Sequence, residues 1–160
     1  MSERVFVYGT LTDAERASAV LDSFAYRGRA TLSGLHRVEG TYPTLAPGGS
    51  VRGRLLVTPD IDALDRYEGV EDGLYVRVSV PVAGDDGASA ETYVGDPDRL
   101  DAPAAWPGEG PFAERVRASV RDNDVVVSRP TAGGSFEDFD GYDGETETDA
   151  TADHDTWNIE

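Results

Sequence analysis

The sequence predicts an α+β fold, because a pattern for an antiparallel hairpin and several helix signals occur in one chain of 160 residues. The clearest strand covers residues 75–82, where a valine stands at every second position, as in a strand with one buried face. A turn of glycine and aspartate at 84–87 leads into a partner strand at 88–94, which predicts a hairpin. Signals for helix starts occur between other predicted strands, so the fold contains both helices and strands.

The first strand is predicted at residues 5–8, where four strand-favouring residues follow one another. Gly9 then lets the chain turn. Thr12 and Glu15 match the capping box with which helices begin, so a helix is expected over residues 13–22.

The remaining elements follow from the same kinds of signal. They are strands at 26–38 and 50–58, an extended piece at 42–45 with a turn at 47–49, helices at 59–68 and 112–121, and a strand at 125–127. The helix at 59–68 is expected to have Thr58 as its N-cap and to end at Gly69. In the strand at 75–82, the valines are expected in the core and Tyr75 on the opposite face.

The composition excludes several classes of function. The chain has no cysteine, which rules out disulfides and a thiol nucleophile. Its net charge is −17, and all 14 basic residues are arginine. Such acidity disfavours binding to nucleic acid and to anionic membranes. Acidity without lysine is typical of proteins from salt-loving organisms, and we expect a soluble, cytoplasmic protein without a signal peptide or membrane span.

The composition changes near residue 133. Residues 134–160 hold ten acidic residues and no arginine, which leaves a net charge of −7 on residues 1–133. We therefore predict one domain at 1–133 and an acidic, mostly disordered or peripheral tail at 134–160.

Two stretches are candidates for chemistry. The loop of Tyr8, Gly9, Thr10 and Leu11 lies between a strand and a predicted helix start, where N–H groups bind a carboxylate or phosphate. Glu68 lies at a predicted helix end, where the helix dipole and burial would both raise the pKa of a carboxyl group and suit it to acid–base work. The alternative for the loop is an ordinary connection between strand and helix. The alternative for Glu68 is a glutamate that is simply solvated.

The order of the motifs resembles the gamma-glutamylcyclotransferase-like family over about residues 4–128. The motifs are Tyr8-Gly9-Thr10-Leu11, Tyr42-Pro43, Leu64-Asp65-x-Tyr67-Glu68-Gly69 and Tyr75-x-Arg77. The resemblance implies a small mixed β-barrel with flanking helices. It also implies an amide-cleaving enzyme, of the acyltransferase or lyase type, that forms 5-oxoproline from a γ-glutamyl amine or amino acid without a metal or cofactor.

The resemblance also implies roles for individual residues. Glu68 is expected to be the catalytic acid and base. Tyr8, Gly9, Thr10 and Leu11 would hold the glutamyl or oxoproline end through backbone groups, and Tyr75 would form the pocket wall. A pocket that contains both the loop and Glu68 is the arrangement this function requires.

Other residues have weaker claims. Arg77 could contact Glu68 or a substrate carboxylate, or it could form a structural ion pair. Tyr42 and Pro43 could line the pocket, although a rigid turn in the core is the favoured interpretation. Packing or surface roles are favoured for His36 and Trp106, and loose cation association for His154 in the tail.

Two other functions remain open at this stage. The same pocket could bind a small carboxylate without turnover, or the acidic tail could mediate an interaction with another protein. The sequence does not predict an oligomeric state.

Overall fold

The computed structural model describes residues 2–84 and 87–130, which include six strands and four helices. In chain order they are β1 (Glu3–Val7), α1 (Ala14–Val20), β2 (Ala25–Val38), β3 (Thr44–Thr58), α2 (Ile61–Tyr67), β4 (Tyr75–Pro81), β5 (Ser89–Gly95), α3 (Pro97–Leu100), α4 (Phe112–Asp122) and β6 (Val126–Ser128). A single 3-10 turn, Thr10–Thr12, joins β1 to α1. The predicted tail at 134–160 lies outside the described residues, so the domain boundary stays a prediction.

The strands form one mixed sheet in the order β4-β5-β1-β3-β2-β6. Strand β1 runs parallel to β5 and antiparallel to β3, and the other pairs are antiparallel. The sheet curls until its two ends meet, since Val82 and Val127 form a parallel bridge and the Ala83 N–H donates to the Val127 carbonyl at 2.8 Å. The expected α+β fold with a small mixed barrel is confirmed.

The curled sheet has a core on each face. Phe6, Leu55 and Val80 belong to the interior cluster, which α4 covers with Val116. The residues of β1 alternate between the two cores, so that Val5 and Val7 belong to the outer cluster together with Ala17 of α1 and Leu64 of α2. Because both faces are covered, Tyr75 is buried in the outer cluster, although the alternation predicted a core position only for the valines. The two helices of the outer cluster bring their ends to the end of β1.

The predicted capping box at the first helix is wrong. Helix α1 begins at Ala14, with Asp13 at the N-cap and no capping bond from a side chain. Thr12 ends the 3-10 turn instead, and its hydroxyl donates to the Gly9 carbonyl at 2.7 Å. The tight turn uses the hydroxyl that the sequence pattern assigned to the helix.

The predicted start of the second helix is also wrong, whereas its end is confirmed. Helix α2 begins at Ile61, because Thr58 is the last residue of β3 and its hydroxyl donates to the Ser23 carbonyl at 2.6 Å. Gly69 ends the helix with a φ of 69°, the left-handed conformation that glycine adopts most readily. Glu68 thus stands at the C-cap.

The extended piece at 42–45, the turn at 47–49 and the strand at 50–58 are largely one long strand, β3. It pairs with β2 up to the pair of Val38 and Thr44. The pairing register shifts at two places, both where β2 contains a glycine. The short helix α3 was not predicted; the Asp96 carboxylate caps it by accepting from the Asp98 N–H at 3.0 Å. Among the described residues, no helix has the length and apolar character needed to cross a membrane.

Candidate active site

A cavity of about 570 Å³ opens where β1 ends and the 3-10 turn begins. Its lining includes every residue proposed for the site from the sequence, namely Tyr8, Gly9, Thr10, Leu11, Glu68 and Tyr75. The other lining residues are Phe6, Val7, Arg16, Thr41, Tyr42, Pro43, Tyr67, Leu74 and Tyr93. The loop and Glu68 are far apart in the sequence, and the packing of α1 and α2 against β1 brings them to one cavity.

The loop from Tyr8 to Leu11 lines the cavity. All four of its carbonyl groups already accept hydrogen bonds within the protein. The donors are Arg37 Nη1 to Tyr8 at 3.0 Å, Thr12 N and Oγ1 to Gly9 at 3.0 and 2.7 Å, Asp13 N to Thr10 at 3.1 Å, and Tyr26 Oη to Leu11 at 2.6 Å. The amides of Thr10 and Leu11 open the 3-10 turn and therefore have no acceptor within it. The arrangement suits a carboxylate or another anionic oxygen.

The rings of Tyr8 and Tyr75 form walls of the cavity, and their hydroxyl groups are held by the backbone. The Tyr8 hydroxyl donates to the Tyr93 carbonyl at 2.6 Å, and the Tyr75 hydroxyl donates to the Pro43 carbonyl at 2.6 Å. Burial raises the pKa of Tyr8 well above its usual value, and the nearby Tyr75 and Glu68 add to this shift. Tyr8 is therefore neutral at physiological pH and shapes the cavity.

Among the described residues, Glu68 is the one acidic residue in the lining. Its N–H donates to the Leu64 carbonyl at 2.9 Å, the last bond of α2, so the helix end fixes where the side chain starts. The side chain is only partly accessible to solvent, and burial raises the pKa of its carboxyl group from 4.5 to about 7. At neutral pH this carboxyl group therefore populates both its acidic and its basic form.

Arg77 pairs with carboxylates other than Glu68. It lies 3.6 Å from Asp65 Oδ2 and 3.6 Å from Glu91 Oε1, and the Tyr93 hydroxyl donates to Asp65 Oδ1 at 2.7 Å. Of the two interpretations for Arg77, the structural ion pair is the one that the structure supports. Burial is the cause of the raised pKa of Glu68, and no described cation contributes an opposing effect.

Comparison with known proteins decides the family. The family model described as "Gamma-glutamyl cyclotransferase, AIG2-like" matches residues 5–110. The chain belongs to this family. The match includes most of β1, the loop, Glu68 and Tyr75, and so includes all the candidate site residues.

Two curated relatives of the family come from Arabidopsis thaliana. AIG2-like protein A is 33% identical over an alignment of 106 residues, and the match covers 59% of this chain and 64% of the relative. AIG2-like protein C is 38% identical over an alignment of 109 residues, and the match covers 59% of this chain and 62% of the relative. The chain thus spans less than two thirds of the length of these relatives.

Solved structures share the cyclotransferase fold. A protein titled gamma-glutamyl cyclotransferase superposes with a TM-score of 0.54 at 24% identity, covering 60% of this chain and 68% of that one. A human protein titled uncharacterized gives a TM-score of 0.53 at 26% identity, over 59% of this chain and 67% of that one. An AIG2-like protein of Mus musculus gives 0.50 at 24% identity, over 69% and 91% of the two chains.

Several residues of the candidate site were not predicted from the sequence. Tyr67 lies next to Glu68, and its hydroxyl is 3.0 Å from Thr10 Oγ1, so it joins the loop to the end of α2. Arg16 and Thr41 line the cavity from α1 and from the segment before β3. For Arg16, the only sign in the sequence of a role in the site was that it is the one arginine of its helix. Thr41 had no such sign.

The minor candidates have different outcomes. Tyr42 lines the cavity with 57% of its surface exposed, so the favoured interpretation as part of a core turn is wrong for this residue. Trp106 is buried against Phe112, as expected. His36 Nδ1 lies 3.0 Å from the Gly48 carbonyl, in keeping with a packing or surface role. His154 lies outside the described residues.

Proposed function

We propose that the protein is a γ-glutamyl cyclotransferase, which converts a γ-glutamyl amine or γ-glutamyl amino acid into 5-oxoproline and the free amine. One observation carries the proposal. A single cavity joins a loop of N–H donors to a carboxyl group with a pKa of about 7. Membership of the gamma-glutamyl cyclotransferase, AIG2-like family supports the same reaction class.

The proposed reaction is an intramolecular transfer of the γ-glutamyl group. The α-amino nitrogen of the substrate attacks its own γ-carbonyl carbon, and a carbon–nitrogen bond forms while the carbonyl electrons move to the oxygen. The bond from that carbon to the leaving nitrogen then breaks as the carbonyl forms again. The products are 5-oxoproline and an amine, and no water is consumed.

Glu68 has the role of proton carrier in this reaction. Its carboxylate takes the proton that the attacking nitrogen must lose, and the resulting carboxylic acid gives a proton to the leaving nitrogen. A carboxyl group with a pKa of about 7 performs both transfers near neutral pH with little cost in either direction.

The loop would bind the negative oxygens of the glutamyl part. The carbonyls from Tyr8 to Leu11 are occupied, so the amides of Thr10 and Leu11 are the groups that the turn leaves for a ligand. Donors fixed in this way stabilise an anionic oxygen without having to reorient. Ring closure within one molecule has a high effective molarity, so positioning and one proton carrier suffice for a useful rate.

Replacing Glu68 tests the proposal. We expect Glu68→Gln to lower the release of 5-oxoproline from a γ-glutamyl dipeptide by about 10²- to 10⁴-fold, since the amide cannot exchange protons as a carboxyl group does. The release is measured by chromatography, and retention of 5-oxoproline affinity is checked by calorimetry. Glu71→Gln serves as the matched control, because Glu71 is an exposed residue three positions away that does not line the cavity.

Full activity of the Glu68→Gln protein would refute the catalytic role. If the unaltered protein binds 5-oxoproline but releases none from any γ-glutamyl compound, it is a carboxylate-binding module instead.

A further inference from the structure

The mouth of the cavity differs in character from its inner end. Tyr8, Tyr75 and Tyr93 are buried at the inner end, where their hydroxyl groups are engaged. At the mouth, Tyr42 and Tyr67 keep 57% and 40% of their surface exposed. Exposed aromatic rings on the wall of a cavity are a common feature of ligand-binding sites.

Arg16 is the one basic residue in the part of the lining that the structure describes. It is exposed, and within the described part of the chain it makes no ion pair or hydrogen bond. The guanidinium at this mouth is therefore available to a ligand.

The proposed reaction sets the direction of the substrate. The γ-carbonyl must lie beside Glu68, and the glutamyl oxygens must face the loop, which places the glutamyl part between the loop and Glu68. The leaving amine then extends towards Arg16, Tyr42 and Tyr67. A cavity of about 570 Å³ lies in the range that accepts a whole drug-sized molecule, which leaves room for a leaving group beyond the glutamyl part.

We infer that Arg16, Tyr42 and Tyr67 form a subsite for the leaving group, and that this group is an amino acid with an apolar or aromatic side chain. The inference rests on the proposed function, and it selects γ-glutamyl amino acids over simple γ-glutamyl amines. The guanidinium binds the second carboxylate of the substrate through two N–H donors, and the tyrosine rings cover the side chain.

A matched pair of ligands tests the contact with Arg16. γ-Glutamylphenylalanine and γ-glutamylphenethylamine differ only in the carboxylate of the leaving group. Their dissociation constants are measured by calorimetry on the Glu68→Gln protein, which should not consume them, and on the same protein with Arg16→Gln added. We expect the first protein to bind the phenylalanine compound about tenfold more tightly and the second to lose this preference.

Arg66→Gln is the control for a change of net charge. Arg66 is exposed on α2 next to Tyr67, yet it does not line the cavity, so the carboxylate preference should persist in this variant. Equal weakening of both ligands by Arg16→Gln would place Arg16 at the glutamyl carboxylate and overturn the inference. No effect on either ligand, or no binding of either, would overturn it as well.

The aromatic part of the subsite has a separate test. Tyr42→Ser should weaken the binding of γ-glutamylphenylalanine severalfold and leave γ-glutamylglycine unchanged, because glycine has no side chain for the ring to cover. Equal effects on the two dipeptides would contradict the proposed contact.

Turnover measurements separate this inference from the proposed function. If the unaltered protein releases 5-oxoproline equally well from the phenylalanine and phenethylamine compounds, and Arg16→Gln changes neither rate, the subsite is wrong and the reaction stands. If it releases none from either compound but still binds the carboxylate form selectively through Arg16, the reaction is wrong and the recognition stands.

Discussion

At Glu68, burial determines the protonation state on which the proposed chemistry depends. With a pKa of about 7, the carboxyl group is mostly protonated in mildly acidic solution and cannot accept the proton of the attacking amine. We therefore expect kcat/KM to rise about tenfold per pH unit below about pH 7 and to level off above it. Initial rates across this range check the profile. A bend near the ordinary glutamate pKa would indicate that the carboxyl group is solvated.

The same shift links stability to pH. The folded pKa of Glu68 lies above its usual value of 4.5, so between about pH 4.5 and about pH 7 the folded state binds more protons than the unfolded state. The contribution of Glu68 to the free energy of unfolding is therefore complete at low pH and is lost as the pH rises through about 7. Glu68→Gln avoids this loss, because the amide stays neutral.

We expect Glu68→Gln to be more stable than the unaltered protein by about 1–3 kcal/mol at about pH 8, and to match it at about pH 4.5. The upper value corresponds to the full shift, and the partial solvent access of the side chain reduces it. Urea unfolding at the two pH values, with Glu71→Gln beside it, makes the comparison. A difference that does not depend on pH would mean that the burial of charge is not its cause.

At the scale of single residues, the sequence predicted the parts of the candidate site that belong to short motifs, and it did not predict the others. The loop from Tyr8 to Leu11 and Glu68 belong to short motifs, so the resemblance located them before the structure was known. Tyr93 and Arg16 line the same cavity without such a motif. Their positions depend on the pairing of β5 with β1 and on the packing of α1, which are not encoded in neighbouring residues.

At the scale of elements, the end of α2 positions Glu68, and Gly69 fixes that end. Its φ of 69° is strained for any residue with a side chain, and an added Cβ would lie 3.2 Å from the Leu74 Cβ. We expect Gly69→Ala to cost about 1–2 kcal/mol of stability and to lower kcat severalfold, because the chain after α2 shifts and moves the carboxyl group. Thermal unfolding and release of 5-oxoproline are measured together.

Gly84→Ala is a suitable control for this prediction. Gly84 has a φ of 79°, and an added Cβ there would meet nothing within 4 Å. It follows β4 in the turn before β5, and it does not line the cavity. It should lose stability through the same backbone strain while keeping its activity. Loss of activity in both variants would show that general destabilisation, and not the position of Glu68, explains the result.

The boundaries of the helices show where local patterns mislead. Thr12 and Thr58 both match N-cap signals, yet the Thr12 hydroxyl bonds locally within a tight turn, and the Thr58 hydroxyl bonds from the end of a strand to the distant Ser23 carbonyl. The Gly69 signal was correct, because a left-handed residue at a helix end is a local requirement of the backbone. Signals that depend on backbone conformation were thus more reliable here than signals that depend on a hydroxyl group with several possible partners.

At the scale of the molecule, the position of β1 in the sheet is what makes a site possible. It lies between β3 and β5, with residues alternating between two cores, so its end leads directly into the cavity. The strands themselves were visible as sequence patterns, but the order of the sheet was not. The parallel pairing of β1 with β5 joins segments more than eighty residues apart, and only the family resemblance predicted the barrel.

Net charge acts on the whole molecule as well. The chain carries −17, and residues 1–133 carry −7 of it by sequence. Raising KCl from about 0.1 M to about 1 M shortens the Debye length from about 10 Å to about 3 Å, which screens the repulsion among the carboxylates. We expect the thermal midpoint of the full chain to rise over this range. A chain that ends at Gly133 should rise less and should still release 5-oxoproline, because all the cavity residues that the structure describes lie within it.

The two chains are compared by calorimetry, and sodium sulfate is run beside KCl to separate screening from the general stabilising effect of strongly hydrated salts. Equal rises in the two chains would show that the charge of residues 134–160 does not act on the folded domain. A truncated chain that fails to fold would place the boundary of the domain beyond residue 133.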